Sequence, residues 1–164
     1  YDPGKEADAA KVHIAEGADV LATHTDTPAM LQTAEEKGAH GYGQGSDMEA
    51  FAPKAQLFAS VNDWSHIYTK NIQDVLDGKW ESTDTWCGMD ADCLTLSPFK
   101  NMPADVAAKA QAVVDEIKSG KLNVFKGPII DNLGNEINSG ATLDDGGLWG
   151  MDYYVQGVIG KIPG

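Results

Sequence analysis

The stretch that most constrains the fold runs over residues 18–47, ADVLATHTDTPAMLQTAEEKGAHGYGQGSD, where an apolar run, a polar loop, an amphipathic segment and a second strand pattern follow in order. Val20, Leu21 and Ala22 read as a short strand, and His24, Thr25, Asp26 and Thr27 as the polar mouth after it. Pro28 falls where a first helical residue belongs, its φ pre-set and its missing donor one the helix does not use there, which makes Thr27 the expected N-cap. Met30, Leu31 and Ala34 form one helical face, Gly38 ends the helix, and a second strand opens over residues 39–42 and runs into Gln44-Gly45-Ser46-Asp47. This order is a βαβ unit. In an open parallel sheet it delivers both polar loops to the carboxyl ends of the strands, side by side at one rim.

The rest of the chain continues the alternation. Tyr1-Asp2-Pro3-Gly4 reads as a loop into a helix over residues 5–16, with Ala7, Ala10 and Ile14 on one face and Gly17 closing it. That abrupt opening carries the expectation that a strand, and further chain, precedes Tyr1. After a loop over 48–54 containing Pro53, residues 56–61 form a third strand, and Asn62-Asp63-Trp64-Ser65 opens another helix. Its expected face is Trp64, Ile67 or Tyr68, Ile72 and Val75 or Leu76, with Gly78 at its end. Residues 83–89 and 93–96 alternate like two strands around Asp90-Ala91-Asp92. Met102-Pro103 begins the last long helix, with Val106, Ala110, Val113 and Ile117 on one stripe and Ser119-Gly120 at its end. Residues 124–135 then read as a strand and turn, and 139–150 are rich in Gly and Asp.

A chain of 164 residues buries roughly 70% of its unfolded surface, enough for one core. Helices alternating with strands imply α/β class, a three-layer Rossmann-like arrangement on an open, mostly parallel sheet. Residues 1–100 are the expected lobe, and 101–164 a long helix plus tail.

A net charge of −13 repels phosphate backbones and anionic membranes, so nucleic acid is not an expected partner. All 12 basic side chains are Lys and none is Arg, which removes the bidentate fork usual for phosphate or carboxylate. A neutral small ligand suits such a chain. There is no nucleophile elbow, Walker loop, HExxH or GxGxxG string, and no cofactor or metal site is expected. The two cysteines, Cys87 and Cys93, stand six apart: opposed strands would bring them into a disulfide suited to an oxidising compartment, and two separate buried thiols are the alternative.

Four loop features carry candidate chemistry, each with a plain alternative. His24 and Asp26 point the same way on an extended chain and could form an acid–base pair, or His24 could simply hydrogen-bond in a loop. Asp47, after Ser46 at a strand's end, can accept two hydroxyls, as on a ribose, or one ring N–H, or else cap a turn. Tyr1 and Trp64 are platforms for a flat ring, although Trp64 also begins a helix face where it would be core. Asp131-Asn132-Leu133-Gly134-Asn135 has a superficial likeness to a calcium loop but lacks alternating oxygen ligands and a closing Glu, so a turn is expected.

Taken in order, Tyr-Asp-Pro-Gly-Lys-Glu-Ala-Asp-Ala-Ala (1–10), Glu-Gly-Ala-Asp-Val (16–20), Gly-Gln-Gly-Ser-Asp-Met (43–48), Ala-Pro-Lys-Ala-Gln-Leu (52–57), Val-Leu-Asp-Gly-Lys-Trp (75–80) and Leu-Asp-Asp-Gly (143–146) resemble the basic membrane protein family. These are substrate-binding proteins of ABC importers for purine nucleosides or nucleobases. The resemblance implies one lobe of a two-lobed type I periplasmic-binding fold, without the amino-terminal lobe. It also implies a periplasmic or membrane-anchored extracytoplasmic location, a permease partner, a purine ligand in the cleft between lobes and no enzymatic activity. Tyr1, His24, Thr25, Asp26, Ser46, Asp47 and Trp64 are then the expected ligand contacts. Gly45 stands where the family often has an Asp, which favours a bare base such as adenine over a ribose. A ligand-sensing module of the same fold, and an enzyme using His24 and Asp26, are the alternatives.

Overall fold

A computed structural model describes residues 1–162; the last two residues of the expected 101–164 tail lie outside the described residues. Contacts divide the chain into a first unit, Tyr1–Asp115, and a second, Glu116–Gly164.

The first unit begins with α1 (Pro3–Ala15), two residues earlier than the periodicity suggests. The reason is local: Asp2 accepts a hydrogen bond from the Lys5 amide at 3.2 Å, and Pro3 follows at a position where its missing donor costs nothing. β1 (Val20–Ala22) leads to α2 (Ala29–Lys37) and β2 (His40–Gly45), the expected βαβ unit. Gly38 closes α2 in the left-handed conformation at φ 73°, where a side chain would be strained.

The start of α2 corrects the expected cap by one residue. Pro28, not Thr27, occupies the cap position, and the Thr27 hydroxyl instead accepts from the Ala29 amide at 3.3 Å while donating to Glu6 of α1. The residues over 46–55 hold a short 3-10 turn, Glu49–Phe51, within what reads as plain loop. β3 (Gln56–Asn62) follows, then α3 (Ser65–Leu76).

The sheet order is β1-β2-β3-β4, with β1, β2 and β3 parallel and β4 (Leu94–Leu96) antiparallel on the β3 edge. An open, mostly parallel α/β sheet is therefore what forms. The expected strand over 83–89 does not: residues 80–88 have no regular structure, and Met89–Ala91 is one 3-10 turn. Only residues from Leu94 onward reach the β3 edge, because the chain turns back through Asp92 at φ 55°, after the 3-10 turn.

One apolar cluster joins α1, α2, β1 and the 48–55 segment, with Leu31, Ala34 and Ala52 wholly buried and Ala10, Met30 and Met48 nearly so. Gly41 makes the helix-to-sheet approach possible: a Cβ there would lie 2.9 Å from the Leu31 Cδ2 and 2.8 Å from the Leu21 carbonyl oxygen. α3 and α4 (Ala104–Lys118) bury no residue.

The second unit holds an antiparallel hairpin of β5 (Ile129–Ile130) and β6 (Glu136–Asn138), and a short α5 (Asp145–Trp149) that the Gly-rich sequence conceals. The Asp131–Asn135 segment is the turn expected of it. Asp131 is buried, and its carboxylate accepts the Leu133 and Asn135 amides and the Asn135 side chain, at 2.7 to 2.9 Å. Those donors hold its pKa below the usual aspartate range, the Asn135 side chain most of all.

Candidate functional site

Three parallel neighbours must end on the same side, so the segments after β1, β2 and β3 leave from one carboxyl rim. They bring together most of the side chains singled out from sequence: His24, Thr25 and Asp26 after β1, Ser46 and Asp47 after β2, and Trp64 after β3.

The first segment has buried ends and an exposed middle. Thr23 and Thr27 are buried while His24 and Asp26 are exposed. The Thr23 and Thr25 hydroxyls are 2.8 Å apart, and the Thr25 amide donates to the Thr23 hydroxyl at 3.2 Å. No hydrogen bond joins His24 to Asp26. At the far end, Thr27 is tied to Glu6, whose pKa is held below the usual glutamate range, chiefly by the Thr27 hydroxyl and to a smaller extent by that of Thr25.

The second segment folds back over the sheet. Met48 enters the apolar cluster and its amide donates to the Gln56 side-chain oxygen at 3.0 Å. The Gln56 amide group donates to Asp47 at 2.6 Å, and the same Asp47 oxygen accepts the Glu49 amide at 3.0 Å. Asp47 thus holds the amide that opens the Glu49–Phe51 turn, and its other oxygen makes no hydrogen bond among the described residues. Gly43 allows this fold-back, since a Cβ there would lie 3.2 Å from the Ser46 carbonyl oxygen and 3.4 Å from the Gln56 oxygen.

The third segment is the start of α3. Asp63 accepts the Ser65 hydroxyl at 2.6 Å and the Ser65 amide at 2.9 Å, and those bonds, the hydroxyl first, keep its pKa low. Trp64, at the helix N-terminus, is 46% exposed and lies outside the buried apolar cluster, not in a core as its place on a helix face suggests. Beside it, Cys87 and Cys93 form a disulfide with Cα atoms 5.8 Å apart, reached without the paired strands that the alternation suggests. The Cys93 carbonyl accepts the Asp63 amide at 2.9 Å, and the Cys93 sulfur lies 3.5 Å from His66 Nε2. Tyr1, 92% exposed, stands just ahead of α1.

Sequence reasoning misses Glu6, Gln56, Thr23 and Asp63 as parts of this rim. The alternation Thr23-x-Thr25-x-Thr27 is a legible sign of a tied loop, but its partner Glu6 lies 21 residues away from Thr27. Gln56 reads only as the first residue of a strand.

The open, mostly parallel sheet thus delivers hydrogen-bonding groups and an exposed indole to one rim. The chain belongs to the Bmp family, described as ABC transporter substrate-binding protein PnrA-like, whose model matches residues 1–126. It is 46% identical over 99% of its length to a purine-binding protein of Brucella abortus, and 26% identical over 99% to a Haloferax volcanii protein provisionally assigned as an ABC transporter glucose-binding protein. The chain spans 47% and 40% of the length of those two relatives. Among solved structures it resembles a transcriptional activator of the comK gene from Bacillus halodurans (TM-score 0.65, 15% identity, 75% of this chain and 44% of that one). It also resembles an ABC transporter solute-binding protein from Conexibacter woesei (TM-score 0.58, 20% identity, 76% and 43%). At such identities the structural likeness establishes the fold.

Proposed function

We propose that the chain is one lobe of the solute-binding component of an ABC importer, and that its rim takes one side of a purine nucleobase or nucleoside for delivery to a membrane permease. The observation that carries the reading is the match of nearly the whole chain, at 46% identity, to a purine-binding protein of the same kind. In this reading Trp64 and Tyr1 offer aromatic faces to the base, and Thr25, Asp26, His24, Ser46 and the unbonded Asp47 oxygen supply hydrogen bonds to its edges. A second lobe, drawn from the further length that the relatives have, completes the cleft and closes over the ligand by a hinge. Residues 101–164 pack on or near that lobe. The protein works outside the cytoplasm, free or membrane-anchored, which suits the disulfide. No helix among the described residues is long and apolar enough to cross a membrane.

In this reading the activity is binding, and the exposed His24 and Asp26 serve as donors and acceptors for the ligand. Isothermal titration of the complete protein, as its gene encodes it, with adenine, guanine, adenosine, guanosine and glucose tests the reading. Micromolar or tighter binding of a purine is expected, with bases bound at least as tightly as nucleosides. Binding of glucose alone, no purine binding below the millimolar range, or release of free base from a nucleoside would overturn it.

A further inference from the structure

We propose that Glu6 is a positioning residue for ligand binding: its carboxylate holds the 24–27 segment at the sheet's rim in the shape that presents Thr25 and Asp26 to the ligand. The inference rests on the binding reading above and names a residue that touches no ligand in it.

Three observations converge. Glu6 lies in the first turn of α1, where the positive end of the helix favours a carboxylate. It accepts the hydroxyl of Thr27, which is 3% exposed, and that same hydroxyl oxygen accepts the Ala29 amide at the entrance to α2. A charge-assisted bond to a buried hydroxyl is among the stronger hydrogen bonds a loop can have, and removing the acceptor leaves the hydroxyl buried without a partner for its proton. At the other end of the segment, Thr23 is 6% exposed and holds both the amide and the hydroxyl of Thr25. Of the three residues between these two anchors, His24 and Asp26 are exposed and Thr25 is half-buried.

The arrangement is a clamp with free tips. Ordering a loop on binding consumes affinity, so a segment already fixed at both ends meets the ligand at lower entropic cost. Thr23 sits directly after β1 and is fixed by the sheet, whereas Thr27 depends on a side chain from another helix. Glu6 is therefore the anchor that comes from outside the βαβ unit, and the one whose loss would free the loop without removing a ligand contact.

The test uses the complete protein and the purine bound best in the titration above. Glu6→Ala and Thr27→Val are each expected to weaken binding about tenfold, chiefly through faster dissociation. The Glu6→Ala/Thr27→Val double variant is expected to lose clearly less than the sum of the two single losses, because the bond between Glu6 and Thr27 is common to both. Thr27→Ser, which keeps the hydroxyl, should restore wild-type affinity. Melting temperature is read in parallel, so that affinity is compared among folded proteins; if Glu6→Ala does not fold, Thr27→Val and Thr27→Ser carry the comparison. Affinity within about twofold of wild type for folded Glu6→Ala or Thr27→Val, or losses that add in the double variant, would overturn the proposal. A wild-type protein that binds no purine would instead overturn the function on which it rests.

Discussion

α2 and α3 look alike in sequence and fare differently in the fold. Each shows an apolar stripe at helical spacing and a glycine just past its end, yet α2 buries Ala29, Met30, Leu31, Thr33 and Ala34 while α3 buries nothing. On α3, Ile72, Val75 and Leu76 are all more than half exposed and, with Asn71 and Trp80, line an open groove of about 260 Å³. The difference lies in the opposing surface. α2 lies over Gly41, where the missing Cβ lets Leu31 come down onto the strand, and α1 closes over it through Ala10 and Ile14. Periodicity makes a helix; only a complementary surface makes it part of a core.

The sharpest way to break that comparison is to remove the side chain on which α2 turns. Leu31→Ala should cost about 2–5 kcal/mol in denaturant unfolding, because a wholly buried leucine leaves a cavity that its glycine-lined neighbours cannot refill. A cost below about 1 kcal/mol would mean that α2 is no better packed than α3.

Next in size is the disulfide beside the start of α3. Replacing Cys87 and Cys93 together by serine should lower stability by about 2 kcal/mol, the amount expected of so short a loop. Hydrogen exchange should place the loosening at α3 and β4, since Cys93 accepts the Asp63 amide, and leave α2 protected.

Acid distinguishes the two helices more gently. The Asp63 carboxylate that holds the Ser65 amide and hydroxyl at the start of α3 has a depressed pKa in the folded protein, so its contribution is complete above the ordinary aspartate range and is lost as pH falls through the folded value. Amide exchange at Ser65 and the next residues of α3 should therefore quicken as pH is lowered from about 5 to about 2, after correction for intrinsic rates, and an Asp63→Asn variant should lose that dependence. Unchanged exchange at Ser65 in wild type would remove Asp63 as the group that holds the start of α3.

The smallest effect is expected on the exposed face itself. Ile72→Ala in this chain should change stability by no more than about 0.5 kcal/mol, the usual range for a surface position. A cost of about 2 kcal/mol or more in the complete protein, with none in the chain alone, would show that further structure covers the groove.

Much of this protein was legible in its residues. The run over 18–47 determined a βαβ unit through a strand of three apolar residues, a helix with one apolar face and a glycine stop, and parallel strands then required the loops after β1 and β2 to share a rim. Those rules are local, governed by backbone geometry and side-chain period, and they also located the Asp131 turn and the long helix α4, while the core place they gave Trp64 is not taken up. The cysteine spacing permitted a disulfide but not the route to it: residues 80–88 take no regular structure, and the 3-10 turn Met89–Ala91 lies between the two cysteines in place of paired strands. Tertiary structure alone decided which side chains hold the rim in shape: Glu6 with Thr27, Gln56 with Asp47, and the Cys93 carbonyl with the Asp63 amide. Each joins residues that are distant in sequence and ordinary in type, and no local rule selects one carboxylate or amide among many until packing brings the pair within hydrogen-bond reach.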